Sequence, residues 1–111
     1  MSVVDINEGV KRVYDFLKEN EHRSFEIQSF IDEGETLATI VEKPTSIICD
    51  YVNETIGHAL AIHFENASIE FTEQNFEFQK ALTSIGGVPY GFTVIINHKK
   101  NTDFYYWIDF R

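Results

Sequence analysis

Residues 90–110, YGFTVIINHKKNTDFYYWIDF, are two alternating runs around the polar loop HKKNT. A period of two marks a strand with one face buried, because successive side chains leave opposite sides of the backbone. Setting Asn97 opposite Asp103 places Ile96 against Phe104, Val94 against Tyr106 and Phe92 against Ile108, all on one face. The pattern predicts an antiparallel hairpin whose core face carries Phe104, Tyr106, Ile108 and Phe110. Its other face carries Asp103, Tyr105, Trp107, Asp109 and Arg111. Trp, Tyr and Arg combine large contact area with a polar handle and dominate protein interfaces, so Trp107 is a candidate anchor. Either a helix of this chain covers that face or a partner does.

Moving toward the N-terminus, SIGGVPYGF reads as a helix stop and a turn into the hairpin; it has no lysine and no strand-loop-helix order for holding phosphate. TEQNFEFQKALTSIGG predicts a helix capped at Thr72, with Phe78, Ala81, Leu82 and Ile85 as its stripe. IEF before it is a short strand, and HALAIHF alternates as another, with the small Ala59 and Ala61 beside His63 on its second face. TSIICDYVNETIG has apolar residues spaced one, three and four apart, which predicts a short helix capped at Thr45 or Ser46 and ending at Gly57. SFEIQSFIDEGETLATIVEK predicts a hairpin about DEGE, with a helix over 33–43 as the alternative. At the start, Asp5 caps a helix carrying Val10, Val13, Tyr14, Phe16 and Leu17 as far as Lys18. The sum is an α+β fold in a single domain over residues 1–111. It has a mostly antiparallel sheet of about five strands and about three helices packed on one face.

Length and composition agree with one core: a chain of 111 residues buries roughly two thirds of its unfolded surface, leaving little for a second. No apolar run approaches the roughly 20 residues of a membrane span, and the N-terminus carries acids where a signal peptide needs bases. The chain is therefore expected in the cytoplasm, away from the membrane. Cys49 is the only cysteine, so neither an internal disulfide nor a thiolate zinc site is expected, and the residue reads as a buried apolar filler.

The net charge of −9 is unevenly spread. Residues 26–77 hold eleven acids against Lys43 alone, including Asp32, Glu33, Glu35, Asp50 and Glu54, whereas residues 78–111 carry net +2. Such a field repels nucleic acid and anionic membrane and attracts a basic protein. Direct nucleic-acid binding is disfavoured further because lysines beside aromatics are confined to Lys99 and Lys100 at a hairpin tip.

Catalytic and metal chemistry find no local support. His58 and His63 are five apart on a predicted strand and so leave opposite faces, while His22 and His98 fall in predicted loops. No catalytic residue, cofactor or metal is expected.

In its length, its acidic run from Glu26 to Glu77 and its aromatic terminal strand, the chain resembles the small immunity proteins of bacterial toxin systems, including those of contact-dependent growth inhibition. The resemblance implies a partner toxin domain, action in the cytosol of the producing cell and no cofactor. The expected function is an acidic inhibitor that blocks a basic partner enzyme, a nuclease toxin above all. Its candidate binding residues are Asp32, Glu33, Glu35, Asp50, Glu54, Asp103, Tyr105, Trp107 and Asp109. A DNA mimic is one alternative. The other is a small enzyme or ligand-binding domain with a pocket lined by Phe64, Phe71, Phe76 and Tyr90, and with His63 and Glu65 converging on it.

Overall fold

Helix α1 (Gly9–Glu19) is the one helix among the described residues, and it follows a strand, β1 (Ser2–Asn7), that takes the place of the expected Asp5 cap. The computed structural model describes residues 2–7, 9–31, 35–85, 88–101 and 103–111. The expected arrangement of about five strands and about three helices is overturned: the protein is mostly β, in two antiparallel sheets. After α1 come β2 (Phe25–Ile31), β3 (Glu35–Glu42), β4 (Ser46–Asn53), β5 (Gly57–His63), β6 (Ser68–Thr72), β7 (Phe76–Ile85), β8 (Val88–His98) and β9 (Phe104–Phe110). The larger sheet has six strands in the order β1-β7-β8-β9-β2-β3, and the smaller is the meander β4-β5-β6. No described helix is long and apolar enough to cross a membrane.

Two predicted helices are strands, for identifiable reasons. In β4, the β-branched Ile47, Ile48 and Val52 favour a pleated surface. Asn53 then takes the backbone amides of Thr55 and Ile56 on its side-chain oxygen at 3.0 and 2.8 Å, closing a turn where the helix would have continued. In β7, the predicted cap Thr72 instead closes β6, where its carbonyl accepts from the Asn75 amide at 3.2 Å. Phe76 and Phe78 then alternate with Glu77 and Gln79, and β7 lies between β1 and β8 as an interior strand. The predicted stripe is split: Phe78 enters the core, while Ala81 lies on the opposite face.

The hairpin β2-β3 forms as a strand pair, which excludes the helical alternative over its described residues; its DEG segment, residues 32–34, lies outside them. The terminal hairpin forms in a register displaced by two residues. Val94 pairs with Ile108, Ile96 with Tyr106 and Asn97 with Tyr105. The loop instead ends later: β8 runs to His98, whose ring nitrogen accepts from the amides of Lys100 and Asn101 at 3.2 and 2.9 Å, and β9 starts only at Phe104. A shift of two leaves every side chain on its predicted face.

The inner faces of both sheets and one stripe of α1 share a single core. Val10, Val13 and Leu17 recur at i, i+3 and i+7, all buried, and α1 packs chiefly on β7, β4 and β5. Against them lie Ile47, Leu60, Ile62 and Phe71 of the small sheet and Phe25, Ile27, Phe78, Val94, Ile96 and Ile108 of the large one. Phe71 joins the two sheets, its ring centroid 4.9 Å from Tyr106 and 5.2 Å from Phe76. Phe64 and Phe71 therefore belong to the core and Phe76 packs against it; the side chain of Tyr90, the fourth residue of the expected pocket, lies outside the described residues. Cys49 is partly buried beside this core, and burial pushes its thiol pKa upward, consistent with the packing role expected of it.

One turn is held unusually tightly. Gly57 has φ +75°, and a Cβ there would stand 2.7 Å from Glu73 Oε1. That oxygen accepts from the His58 amide at 2.6 Å and meets His58 Nδ1 at 2.7 Å. Burial alone would raise the Glu73 pKa, but the two His58 hydrogen bonds outweigh it and leave the carboxyl below its ordinary value. Gly57→Ala combines a left-handed backbone with displacement of this carboxylate and is expected to cost about 1–3 kcal/mol. Urea unfolding followed by circular dichroism would measure it; an unchanged midpoint would mean that the turn relaxes freely.

Candidate interaction face

Because β2, β9 and β8 lie side by side in the large sheet, the side chains that alternate away from the core form continuous rows across it. Gln28 pairs with Trp107, and Trp107 with Ile95. Phe30 pairs with Tyr105, and Tyr105 with Asn97. Phe30 stacks on Tyr105 with ring centroids 5.0 Å apart and 14° between planes, and meets Trp107 at 5.7 Å and 60°. All three rings stay partly exposed, since α1 packs on the other side of the sheet. Val41 on the neighbouring β3 extends the apolar surface at 47% exposure. The question posed by Trp107 is thus answered within the described residues: no helix covers it, and its packing partner is Phe30.

The rim of this face is polar. Glu26 pairs with Asp109 across β2 and β9 and forms an ion pair with Arg111 at 3.1 Å. Asp109 accepts a hydrogen bond from the Thr93 hydroxyl at 2.6 Å. Burial pushes the Asp109 pKa up, the Thr93 hydrogen bond opposes this, and the charge of Glu26 adds to the rise. A carboxyl whose folded-state pKa exceeds its unfolded value favours folding when protonated. That contribution is complete below the ordinary Asp range and is lost as pH rises through the raised value. Asp109→Asn is accordingly expected to raise the melting temperature at neutral pH, with the gain shrinking as pH falls into the ordinary Asp range. Paired thermal melts across that window would check the sign; a gain independent of pH would exclude the charge as its cause. A carboxylate kept at a cost to stability is a common mark of a functional surface.

The expected binding residues divide between separate places. Tyr105, Trp107 and Asp109 share the outer face just described. Asp103 is exposed in the β8-β9 loop, and Glu35 is exposed at the start of the edge strand β3. Asp50 is exposed on β4 of the small sheet, Glu54 is exposed in the turn after it, and Asp32 and Glu33 lie outside the described residues. Across the small sheet Asp50 pairs with Ala59, and Ala61 with Glu70. Ala59, Ala61 and His63 there remain partly exposed, so among the described residues no element lies flush on that strand. Aromatic and acidic surfaces therefore belong to the outer faces of different sheets. Phe30 was absent from the expected set, although it breaks the phase of Phe25, Ile27 and Ile31, and an apolar residue out of phase points to the other face.

Beyond the Val94–Ile108 pair the two strands part, β9 continuing beside β2 to Phe110 and β8 beside β7, and the sheet is notched between them. The notch has a volume of about 490 Å³ and is lined by Phe16, Asn20, Arg23, Glu26, Phe92, Asp109 and Phe110. Among the described residues, no three His, Cys, Asp or Glu side chains are grouped to hold a metal ion. Comparison with family models, curated proteins and solved structures gives no match, so the aromatic face and its rim carry the functional reading.

Proposed function

We propose that this chain is a non-catalytic binding protein that docks a basic protein on the outer face of its large sheet. Within that class it fits best as an immunity protein that neutralises a nuclease toxin in the cytoplasm. The observation that carries this reading is the uncovered Phe30-Tyr105-Trp107 cluster on a chain of net charge −9. Aromatic side chains lose little rotamer entropy on docking, and these three already hold one another in place. The carboxylates of the small sheet and its turns add a long-range field that speeds encounter with a basic enzyme, whose own surface must attract phosphate. Dispersal of Asp50, Glu54 and Glu70 over a sheet face and a turn gives no regular phosphate-like row, which weighs against a DNA mimic.

The test is association with the purified product of the gene adjoining this one. The expected result is a stoichiometric complex that blocks that protein's nuclease activity, with an on-rate falling steeply between low and physiological salt. A neighbour that carries no toxin domain, or a complex whose on-rate ignores salt, would count against the reading.

A further inference from the structure

Two turns of this protein are clasped in the same way by chemically different side chains. After β4, Asn53 Oδ1 accepts from the amides two and three residues on, those of Thr55 and Ile56, at 3.0 and 2.8 Å. After β8, His98 Nδ1 accepts from the amides two and three residues on, those of Lys100 and Asn101, at 3.2 and 2.9 Å. A backbone N–H can only donate, so Nδ1 must keep its lone pair, and the ring proton of neutral His98 lies on Nε2. The amide oxygen of Asn53 accepts at any pH near neutrality; an imidazole nitrogen accepts only while it is unprotonated.

Protonation places a hydrogen on His98 Nδ1 and sets it against the two amide hydrogens that it now accepts. The closed loop therefore excludes the proton and the open loop takes it up, so closure holds at higher pH and is lost as pH falls. The ring packs edge to face on Phe76 of β7 at 5.2 Å, a neighbour with no charge. Around the loop, the ionisable groups are Lys99 and Lys100 within it, Asp103 at its end, Tyr106 on β9, Glu77 on β7 and Glu73 in the β6-β7 turn. Glu77 pairs with Asn97 and so leaves the other face of the sheet from His98, Glu73 is engaged by His58, and the first turn of α1, which borders Phe76, carries no acid. Among the described residues no carboxylate pairs with His98 to hold it in place once charged.

This loop joins two strands that carry the aromatic face. Asn97, next to His98, pairs with Tyr105, and Tyr105 stacks on Phe30. We propose that the β8-β9 loop is a pH-gated clasp, closed while His98 is neutral and opened by its protonation, and that opening loosens the Tyr105 end of the aromatic face. The gate is a property of the chain by itself and stands or falls independently of any docked protein.

The test is a titration of the isolated protein from about pH 8 to about pH 5, the span in which histidine changes charge, followed by backbone amide shifts and hydrogen exchange. The Lys100 and Asn101 amides are expected to shift with the same midpoint as the His98 ring signals and to lose about tenfold in protection, and the Tyr105 amide should follow them. His98→Asn rebuilds the clasp of Asn53 without its titration, and should keep both amides protected and their shifts flat over the whole range. His98→Ala should resemble the low-pH state at every pH. A pH response of Lys100 and Asn101 that persists in His98→Asn, or amides that ignore the His98 midpoint, would overturn the proposal. A loop that opens while Tyr105 is unmoved would overturn its link to the aromatic face.

Discussion

Phe71→Ala is expected to cost about 3–5 kcal/mol, a large part of the roughly 5–15 kcal/mol by which a domain of this size is stable. The ring is 1% exposed and touches Tyr106 of β9 and Phe76 of β7, so its removal leaves a void where the two sheets meet. The paired strands that carry these rings cannot collapse into that void without breaking their register, so the cavity stays largely open and the transfer and cavity costs add. The melting temperature should fall by roughly 12–25 °C. Ile48→Ala, on the outer face of the same small sheet at 40% exposure, should cost less than about 1 kcal/mol. Similar losses for the two variants would show that the sheets are not joined through Phe71. Had Phe71 lined a ligand pocket, its truncation would have been mild.

That contrast reflects how unevenly the fold is written in the chain. Where one face is buried and the pairing partner is close in sequence, alternation suffices: β2 with β3, β5, and the hairpin of β8 and β9 are legible on this basis, and α1 declares itself by Val10, Val13 and Leu17. β4 and β7 are not legible, because a run of about ten residues with apolar groups one, three and four apart satisfies both periods. What decides β7 is its neighbour β1, which pairs Asn7 with Gln79 and Ser2 with Ser84. That contact spans most of the chain and leaves no local trace. Asp5 could cap a helix equally well, and only the pairing with β7 assigns it to a strand.

The candidate site follows the same logic. Tyr105 and Trp107 could be placed on an outer face by alternation alone, and a register shift of two residues left them there. Asp50 and Glu54 could not be separated from them, since charge along a sequence says nothing about which sheet carries it. The notch was equally hidden: it exists because β8 and β9 part beyond the Val94–Ile108 pair while each stays paired on its other side, a divergence that no single segment contains.

In complex with the basic partner proposed above, Trp107→Ala is expected to lose about 2–4 kcal/mol of binding, roughly 30- to 1000-fold in Kd. The ring lies between Gln28 and Ile95 in the middle of the sheet, with Phe30 against it at 5.7 Å. It is therefore held in place before docking and surrounded by side chains that exclude water from a contact, the setting in which a single aromatic residue dominates an interface. The loss should fall almost entirely on the dissociation rate, because steering comes from carboxylates at a distance and survives the substitution. Glu54→Lys should do the reverse, slowing capture while leaving the lifetime of the complex nearly unchanged, since Glu54 is exposed in a turn of the other sheet. Stability separates this account from a purely structural one. A partly exposed Trp on an uncovered face should cost the fold only about 1–2 kcal/mol when truncated, well below the value for Phe71. A fall in melting temperature as large as that of Phe71→Ala, with affinity intact, would assign Trp107 to the core and leave the outer face without its anchor.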